Sequence, residues 1–211
     1  LISHDHYDHF DKKTVKFLVK SQPNIVWVVP LGLKKRLINM GANRIIEMDW
    51  WERSVCVVNN KKIYFNCVPS QHFSGRGVFD KNRTLWSGFV VEVCGGKEPA
   101  KSVYFVGDTG YNNYDFKEIG KRFTNIDLSL IPIGTYIPSE FMDPVHINPD
   151  KAVMIHKEVN SKLSVGMHWK TFKLSNEGIN QPPYDLYCAL SKNHISPEMF
   201  RVLNIGQTIN W

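Results

Sequence analysis

The sequence predicts an α/β fold of layered, mixed sheets. Three observations carry that prediction. Runs of apolar β-formers, such as Ile25 to Val29, Val103 to Val106 and Leu163 to Met167, alternate with segments of helical periodicity. Two neighbouring runs, Val55 to Val58 and Ile63 to Val68, flank Asn59-Asn60-Lys61 and read as a hairpin, so antiparallel pairing sits in the middle of the chain. His72, Asp108 and His168 each stand at or just after the end of a run, where α/β folds build their sites.

The elements follow in order. Asp11 caps a short helix whose apolar face is Val15, Leu18 and Val19, and Pro23 stops it. Ile25 to Val29 is a buried strand. Gly32 to Met40 reads as a basic amphipathic helix ended by Gly41. Ile45-Ile46-Glu47 is a short strand, and the hairpin comes next. Leu85 to Val93 is a strand closed by a turn at Gly95-Gly96. After the strand Val103 to Val106 come a helix around Phe116 to Phe123 and a strand Ile126 to Ile131. Asn148 caps the next helix, with Pro149 in its first turn. Within it, His156 beside Lys157 and Glu158 reads as a surface histidine. The strand Leu163 to Met167, a helix near Tyr184 to Ser191 and a strand near Phe200 to Asn204 complete the chain. His194 lies in a loop and is given no role.

The 211 residues suit a single domain, 1–211, with a substantial core. With 43% hydrophobic and 22% charged residues the composition excludes a disordered chain. The net charge of +6 is compatible with anionic substrates or membrane surfaces. Cys56, Cys67, Cys94 and Cys188 are scattered and form no C-x-x-C pair, so neither a zinc ribbon nor a disulfide framework is indicated, and a reducing compartment fits. The longest apolar run, Ile25 to Leu33, is broken by Pro30 and is too short to span a bilayer. The sequence opens in mid-motif without Met, and Leu1-Ile2 reads as the end of a buried strand. We therefore expect the domain to be N-terminally incomplete here.

Chemistry concentrates at the start. His4, Asp5, His6, Asp8 and His9 fall within six positions. Imidazole and carboxylate together suit a borderline divalent metal such as zinc. His4 and His6 can face one point, and Asp8 and His9, on the following turn, a second. The alternative is a solvated polar loop. His72 opens a glycine-containing loop, Asp108 sits between Gly107 and Thr109, and His168 follows the strand Leu163 to Met167, so later partners exist.

Together these pieces resemble the metallo-β-lactamase superfamily: H-x-H-x-D-H at His4 to His9, then a lone His, an Asp and a final His. Gln71-His72-Phe73-Ser74-Gly75-Arg76-Gly77 with Leu85-Trp86, Gly107-Asp108-Thr109-Gly110-Tyr111, Ile131-Pro132-Ile133-Gly134-Thr135-Tyr136 and Met167-His168-Trp169-Lys170-Thr171-Phe172 resemble the N-acyl-phosphatidylethanolamine-hydrolysing phospholipase D branch and its bacterial relatives. The resemblance implies an αββα sandwich, whose N-terminal strands this sequence lacks. It implies two zinc ions, one on His4, His6 and His72, the other on Asp8, His9 and His168, with Asp108 between them. Zinc there lowers the pKa of bound water towards about 7, which makes a nucleophile at neutral pH.

The function this implies is a zinc phosphodiesterase of phospholipase D type acting on N-acyl phosphatidylethanolamine-like lipids. The alternatives are a lactonase or nuclease of the same superfamily, since the ligand set specifies the activated water and not the bond. A non-catalytic metal-binding or membrane-interaction module is a further alternative, and the complete ligand set argues against it. Asp8 and His146 are the expected catalytic residues: Asp8 orients the water, and His146 either contacts the phosphate or stabilises the leaving group, or is a loop histidine that hydrogen-bonds backbone. Arg76 either pairs with phosphate or braces its loop, and Lys170 is a second phosphate candidate. Tyr136, Phe141 and Met142 either line an apolar lip for acyl chains or pack locally. Asp5 is expected to point away from the metals or to support a ligand from behind. The basic stretch Lys34-Lys35-Arg36 touches anionic lipid or is simply solvated. The partners implied are a small-molecule or phospholipid substrate, a peripheral membrane contact and a second copy in a homodimer, with no nucleic acid. The expected location is cytoplasmic or at the face of the inner membrane.

Overall fold

The computed structural model describes residues 1–95 and 99–211, so Gly96 of the expected turn lies outside the described residues. Helix α1 (Lys12–Ser21) begins where Asp11 Oδ2 accepts the Thr14 amide proton at 2.7 Å, satisfying one of the free donors of the first turn. Its inner face buries Val15 against Trp27 and Val29 of β1 (Trp27–Pro30) and Leu37 of α2 (Lys34–Ile38). α2 is shorter than the predicted span. Gly32 stands at φ 89° with its amide given to Glu47 Oε1 at 2.9 Å, and Gly41 at φ 93° turns the chain away at the other end. β1 pairs in parallel with β2 (Ile45–Met48).

The predicted hairpin joins β3 (Arg53–Val58) to β4 (Lys61–Val68). Asn59 and Asn60 take φ of 48° and 62°, the left-handed pair of a type I′ turn, and Lys61 already belongs to the strand. β4 pairs antiparallel with β5 (Gly88–Cys94), and β5 with β6 (Lys101–Phe105). β5 starts later than expected because residues 85–87 serve other partners. Leu85 donates its amide to Leu31 and Ser87 to Ser3, which ties this stretch to the first loop and the start of α2. From β6 onward the pairing is parallel. α3 (Asp115–Arg122) leads to β7 (Leu128–Pro132), and the loop after β7 contains the single turn α4 (Ser139–Met142), too short to leave a periodic signal. α5 (Pro149–Glu158) leads to β8 (Leu163–Met167), and α6 (Gln181–Lys192) to β9 (Phe200–Val202). Among the described residues the large sheet runs β3-β4-β5-β6-β7-β8-β9.

Burial explains the layering. One face of this sheet carries Val90, Tyr104 and Ile131 against Phe116 of α3, Val153 of α5 and Leu190 of α6. The opposite face carries Cys67 and Phe89 against Val28 and Met48 of the small sheet, whose outer side is covered by α1 and α2. The order is helix, sheet, sheet, helix: the αββα sandwich, with two strands in its smaller sheet among the described residues. Ile2 is buried and gives its amide to the Val28 carbonyl at 3.1 Å, so Leu1-Ile2 lies along β1 without forming a strand of its own. No helix among the described residues is long and apolar enough to cross a membrane. All four cysteines are free thiols.

One expectation is overturned. His156 is a core histidine, 4% exposed, with Nδ1 2.8 Å from Ser164 Oγ and its ring 5.7 Å from that of Phe200. The adjacent Lys157 is exposed, whereas the position of His156 faces β8 and β9.

α3 and α5 approach so closely that a Cβ on Gly120 would lie 2.1 Å from the Glu158 carbonyl oxygen. Both atoms belong to rigid backbone, so Gly120→Ala should destabilise by about 1–3 kcal/mol even though alanine favours helix. Urea denaturation measures this. Labelling of Cys67 provides a second readout: burial pushes its thiol up to about 12, so it should react with a thiol reagent only on unfolding, and faster in the variant.

Candidate metal centre

The first loop lies against the ends of the large sheet because two close approaches permit it. Gly107, at φ 71°, follows β6, and a Cβ there would stand 2.8 Å from Ser3 Cβ. Ser87 donates to the Ser3 carbonyl at 2.9 Å. Asp108 comes next, buried and aimed at the loop. His72 lies four residues beyond β4 and is brought alongside Asp108 by the bridge between Gln71 and Gly110, with Gln71 N donating to Thr109 Oγ1 at 2.9 Å. His168 is the residue after β8 and adopts φ 58°, a left-handed conformation costly for a residue with a Cβ. Gly134 makes room for it: a Cβ there would come within 2.4 Å of the His168 carbonyl oxygen.

The seven predicted ligands form two groups, His4 with His6 and His72, and Asp8 with His9, Asp108 and His168. In the first, His6 Nδ1 lies 2.9 Å from His4 Nε2 and 3.2 Å from His72 Nε2. In the second, His9 Nε2 is 3.2 Å from both Asp8 Oδ2 and Asp108 Oδ2, and His168 Nε2 is 3.5 Å and 3.3 Å from the same two oxygens. Asp108 Oδ2 also stands 4.0 Å from His4 Nε2 and 3.8 Å from His72 Nε2. One carboxylate oxygen thus lies between the two groups.

Several observations test whether a metal fits. Asp108 Oδ1 is buried without a hydrogen-bond partner, a costly state that an ion relieves, and His9 Nε2 and His168 Nε2 are turned inward to the Asp8 and Asp108 carboxylates. His72 Nδ1 is 2.9 Å from the Val145 carbonyl and His4 Nδ1 2.9 Å from Ser3 Oγ. With Nδ1 as donor to Val145, Nε2 of His72 turns its lone pair inward, the tautomer a metal requires. Burial pushes His4 well below its ordinary range and His72 down to about 3, so both are neutral ligands at pH 7. Burial works against the charge of Asp108, but His168 and His9 hold it far below the usual carboxylate range, so it is ionised. His9 resists the effect of burial: Asp108 and Asp8 raise it to about 10, so metal binding must displace a proton there. The residues fit a divalent cation that takes nitrogen and oxygen ligands.

The remaining candidates separate. His146 lines the cleft, with Nδ1 3.9 Å from Asp108 Oδ2. Arg76 takes the bracing alternative: Nη1 donates to the carbonyls of Asp5 at 2.6 Å and Phe10 at 2.8 Å, so this arm of the fork is committed to the first loop. Lys170 is exposed beside the Trp169 ring, outside the wall of the main cleft. Phe141 and Met142 line that cleft, but Tyr136 is buried and donates to Asp185 Oδ2 at 2.5 Å, so it belongs to the packing. Arg36 of the basic stretch is likewise engaged, 3.1 Å from Asp5 Oδ2 and 3.0 Å from Asp80 Oδ2. Sequence reasoning missed Lys81, Asn82 and Thr135 of the cleft wall, and Glu177, which accepts the Thr135 amide proton at 2.6 Å. Glu177 is 42 residues from its partner and carries no local signal.

Asp5 supports the loop from behind, as expected. It is fully buried, accepts the Gly75 amide proton at 2.7 Å and pairs with Arg36. Asp5→Ala strands the Gly75 donor and half of the Arg36 pairing. It should cost about 2–4 kcal/mol in urea denaturation of the metal-free protein and weaken metal binding as the loop loosens.

A family model described as the beta-lactamase superfamily domain matches residues 1–169. The chain is 43% identical over 190 residues to N-acyl-phosphatidylethanolamine-hydrolyzing phospholipase D 1 of Caenorhabditis elegans, covering 88% of this chain and 52% of that protein. It is 33% identical over 183 residues to the mitochondrial N-acyl-phosphatidylethanolamine-hydrolyzing phospholipase D of Saccharomyces cerevisiae, covering 86% and 38%. The chain therefore spans about half the length, or less, of these relatives. Two solved structures share the fold. One is Igni18, a metallo hydrolase of Ignicoccus hospitalis, with a TM-score of 0.67 at 18% identity over 99% of this chain and 76% of that one. The other is the isothiocyanate hydrolase from Delia radicum gut bacteria, with a TM-score of 0.67 at 15% identity over 99% and 74%. With the matched domain, the αββα layers and the paired His/Asp groups in place, the chain belongs to the metallo-β-lactamase superfamily of hydrolases.

Proposed function

We propose that this site holds two zinc ions and hydrolyses phosphodiesters in the manner of phospholipase D, on N-acyl phosphatidylethanolamine-like lipids. The observation that carries the reading is the position of Asp108 Oδ2, within 3.2–4.0 Å of ligand nitrogens from both groups. Two cations a few ångströms apart repel strongly, and a shared carboxylate offsets that repulsion. His4, His6 and His72 would hold one ion and Asp8, His9 and His168 the other. Zinc in those positions supplies a nucleophilic water at neutral pH and positive charge for the phosphoryl oxygens.

The chain's own groups complete the chemistry. Asp8, partly exposed to the cleft, orients the attacking water as well as binding metal. His146, whose ring burial holds it down to about 4, is neutral and offers one N–H to a phosphate oxygen or to the departing alcohol. The cleft has a volume of about 590 Å³. Phe73, Phe141, Met142, Val145 and Leu174 give it an apolar wall suited to acyl chains, and Lys81 adds a cation for a phosphate. The likeness to two proteins named as N-acyl-phosphatidylethanolamine-hydrolyzing phospholipases D supports the choice of substrate.

Metal analysis should find two equivalents of zinc in the wild-type chain and about one in His72→Ala, while Asp108→Ala weakens both sites. An empty wild-type site would overturn the reading and favour a non-catalytic module. His72→Ala should lower hydrolysis more than about a hundredfold while far-UV circular dichroism stays unchanged, because His72 contributes to the ions and little to the core. Wild-type activity in that variant would refute the metal mechanism. Assays on N-acyl phospholipids, lactones and RNA choose the bond: turnover confined to lactone or RNA would replace the phospholipase assignment.

A further inference from the structure

Single exposed apolar side chains are ordinary on a protein surface, but an adjacent pair held rigidly beside a cleft is not. Val78 and Phe79 are 88% and 87% exposed. They form the tip of the loop between Phe73 and Lys81, both of which line the cleft, so the tip projects from the rim of the site. The tip is not a loose end. Asp80 Oδ1 accepts the Arg76 amide proton at 2.9 Å and the Gly77 amide proton at 2.7 Å, and Oδ2 pairs with Arg36 at 3.0 Å. Tyr7 donates to the Arg76 carbonyl at 2.8 Å, and Arg83 donates its amide to the Asp80 carbonyl. The base of the loop is thus tied down on both sides of the tip, while the two apolar side chains are turned to solvent.

A second rim segment shows the same pattern. Phe172 is 59% exposed and stands between the exposed Lys170 and Lys173, and Leu174, after Lys173, is another residue of the cleft wall. Lys81 flanks the first tip as Lys170 and Lys173 flank Phe172. Apolar tips bracketed by lysines match a lipid–water interface, where aromatic rings sit at headgroup depth and ammonium groups reach anionic phosphates.

We propose that these two segments, Val78-Phe79 and Lys170 to Lys173, form a docking surface for anionic phospholipid bilayers that sets the cleft mouth against the membrane. The proposal rests on the lipid substrate inferred above and adds the surface by which the protein reaches it. Docking removes the exposed tips from water and places the apolar cleft wall against the acyl layer, so a lipid enters the site without crossing bulk water. Lys81, Lys170 and Lys173, rather than the basic stretch of α2 whose Arg36 is already engaged, provide the attraction to anionic headgroups.

The test separates docking from catalysis. The intact protein is sedimented with phosphatidylcholine vesicles, with and without phosphatidylserine, none containing N-acyl lipid. Val78→Ser/Phe79→Ser should reduce vesicle partition by about tenfold or more. Lys173→Glu should reduce it only where phosphatidylserine is present. Hydrolysis of a short-chain monomeric substrate should be unchanged in the double variant, while hydrolysis of vesicle-borne substrate falls with binding. Wild-type partition in the double variant overturns the surface. So does concentration-dependent self-association, without vesicle binding, that the double variant abolishes, which would assign the tips to a second copy of the chain. Loss of vesicle binding in a protein that hydrolyses no N-acyl phospholipid supports the surface and refutes the substrate reading alone.

Discussion

Asp108 is the constraint on which the rest depends. Its carboxylate is buried, ionised and surrounded by imidazoles, and one oxygen lies within 4.0 Å of nitrogens from His4, His9, His72 and His168 and of His146 Nδ1. Charge at such depth survives only beside compensating charge or a metal. The histidines converge from different segments, so each must be delivered to within a fraction of an ångström. Gly107, Gly110 and Gly134 serve that delivery: in each case an added Cβ would strike the backbone or side chain of a neighbouring segment of the site.

The site was far more legible than its support. Candidate ligands advertise themselves through residue type and short spacing, and His4, His6, Asp8, His9, His72, Asp108 and His168 converge in two adjacent groups. The hairpin turn was legible because two consecutive asparagines tolerate positive φ. Element ends were less so. Leu85 to Ser87 read as strand by composition, yet their amides serve the first loop and the segment before α2, a long-range choice that no local pattern records. His156 failed for a related reason, since the adjacent Lys157 describes the outer face of the helix and not the residue before it. Glu177 and the bracing role of Arg76 depend on partners 42 and about 70 residues away.

The first loop is held by hydrogen bonds that need no ion. Asp5 and Arg76 bond in opposite senses across it, the carboxylate accepting from Gly75 and the guanidinium donating to the Asp5 and Phe10 carbonyls. A ligand loop held in this way loses little further freedom on binding, which is the general route to tight and selective sites. The same contacts fix the loop that carries Val78 and Phe79. The geometry of the metal ligands and the presentation of the exposed tip therefore share one scaffold.

The division of ligands between the layers has a mechanical consequence. His4, His6, Asp8 and His9 precede the small sheet, while His72, Asp108 and His168 extend from the large one. Any ion bound between them is a rivet through the sandwich, joining segments otherwise held by side-chain packing and a few amide bonds such as Ser87 to Ser3. Its strength would depend on the ligands through the dissociation constant and on the free metal concentration, since the stability added grows with the logarithm of their ratio. With a metal held at the proposed centre, the resistance of the two layers to separation would follow the metal supply.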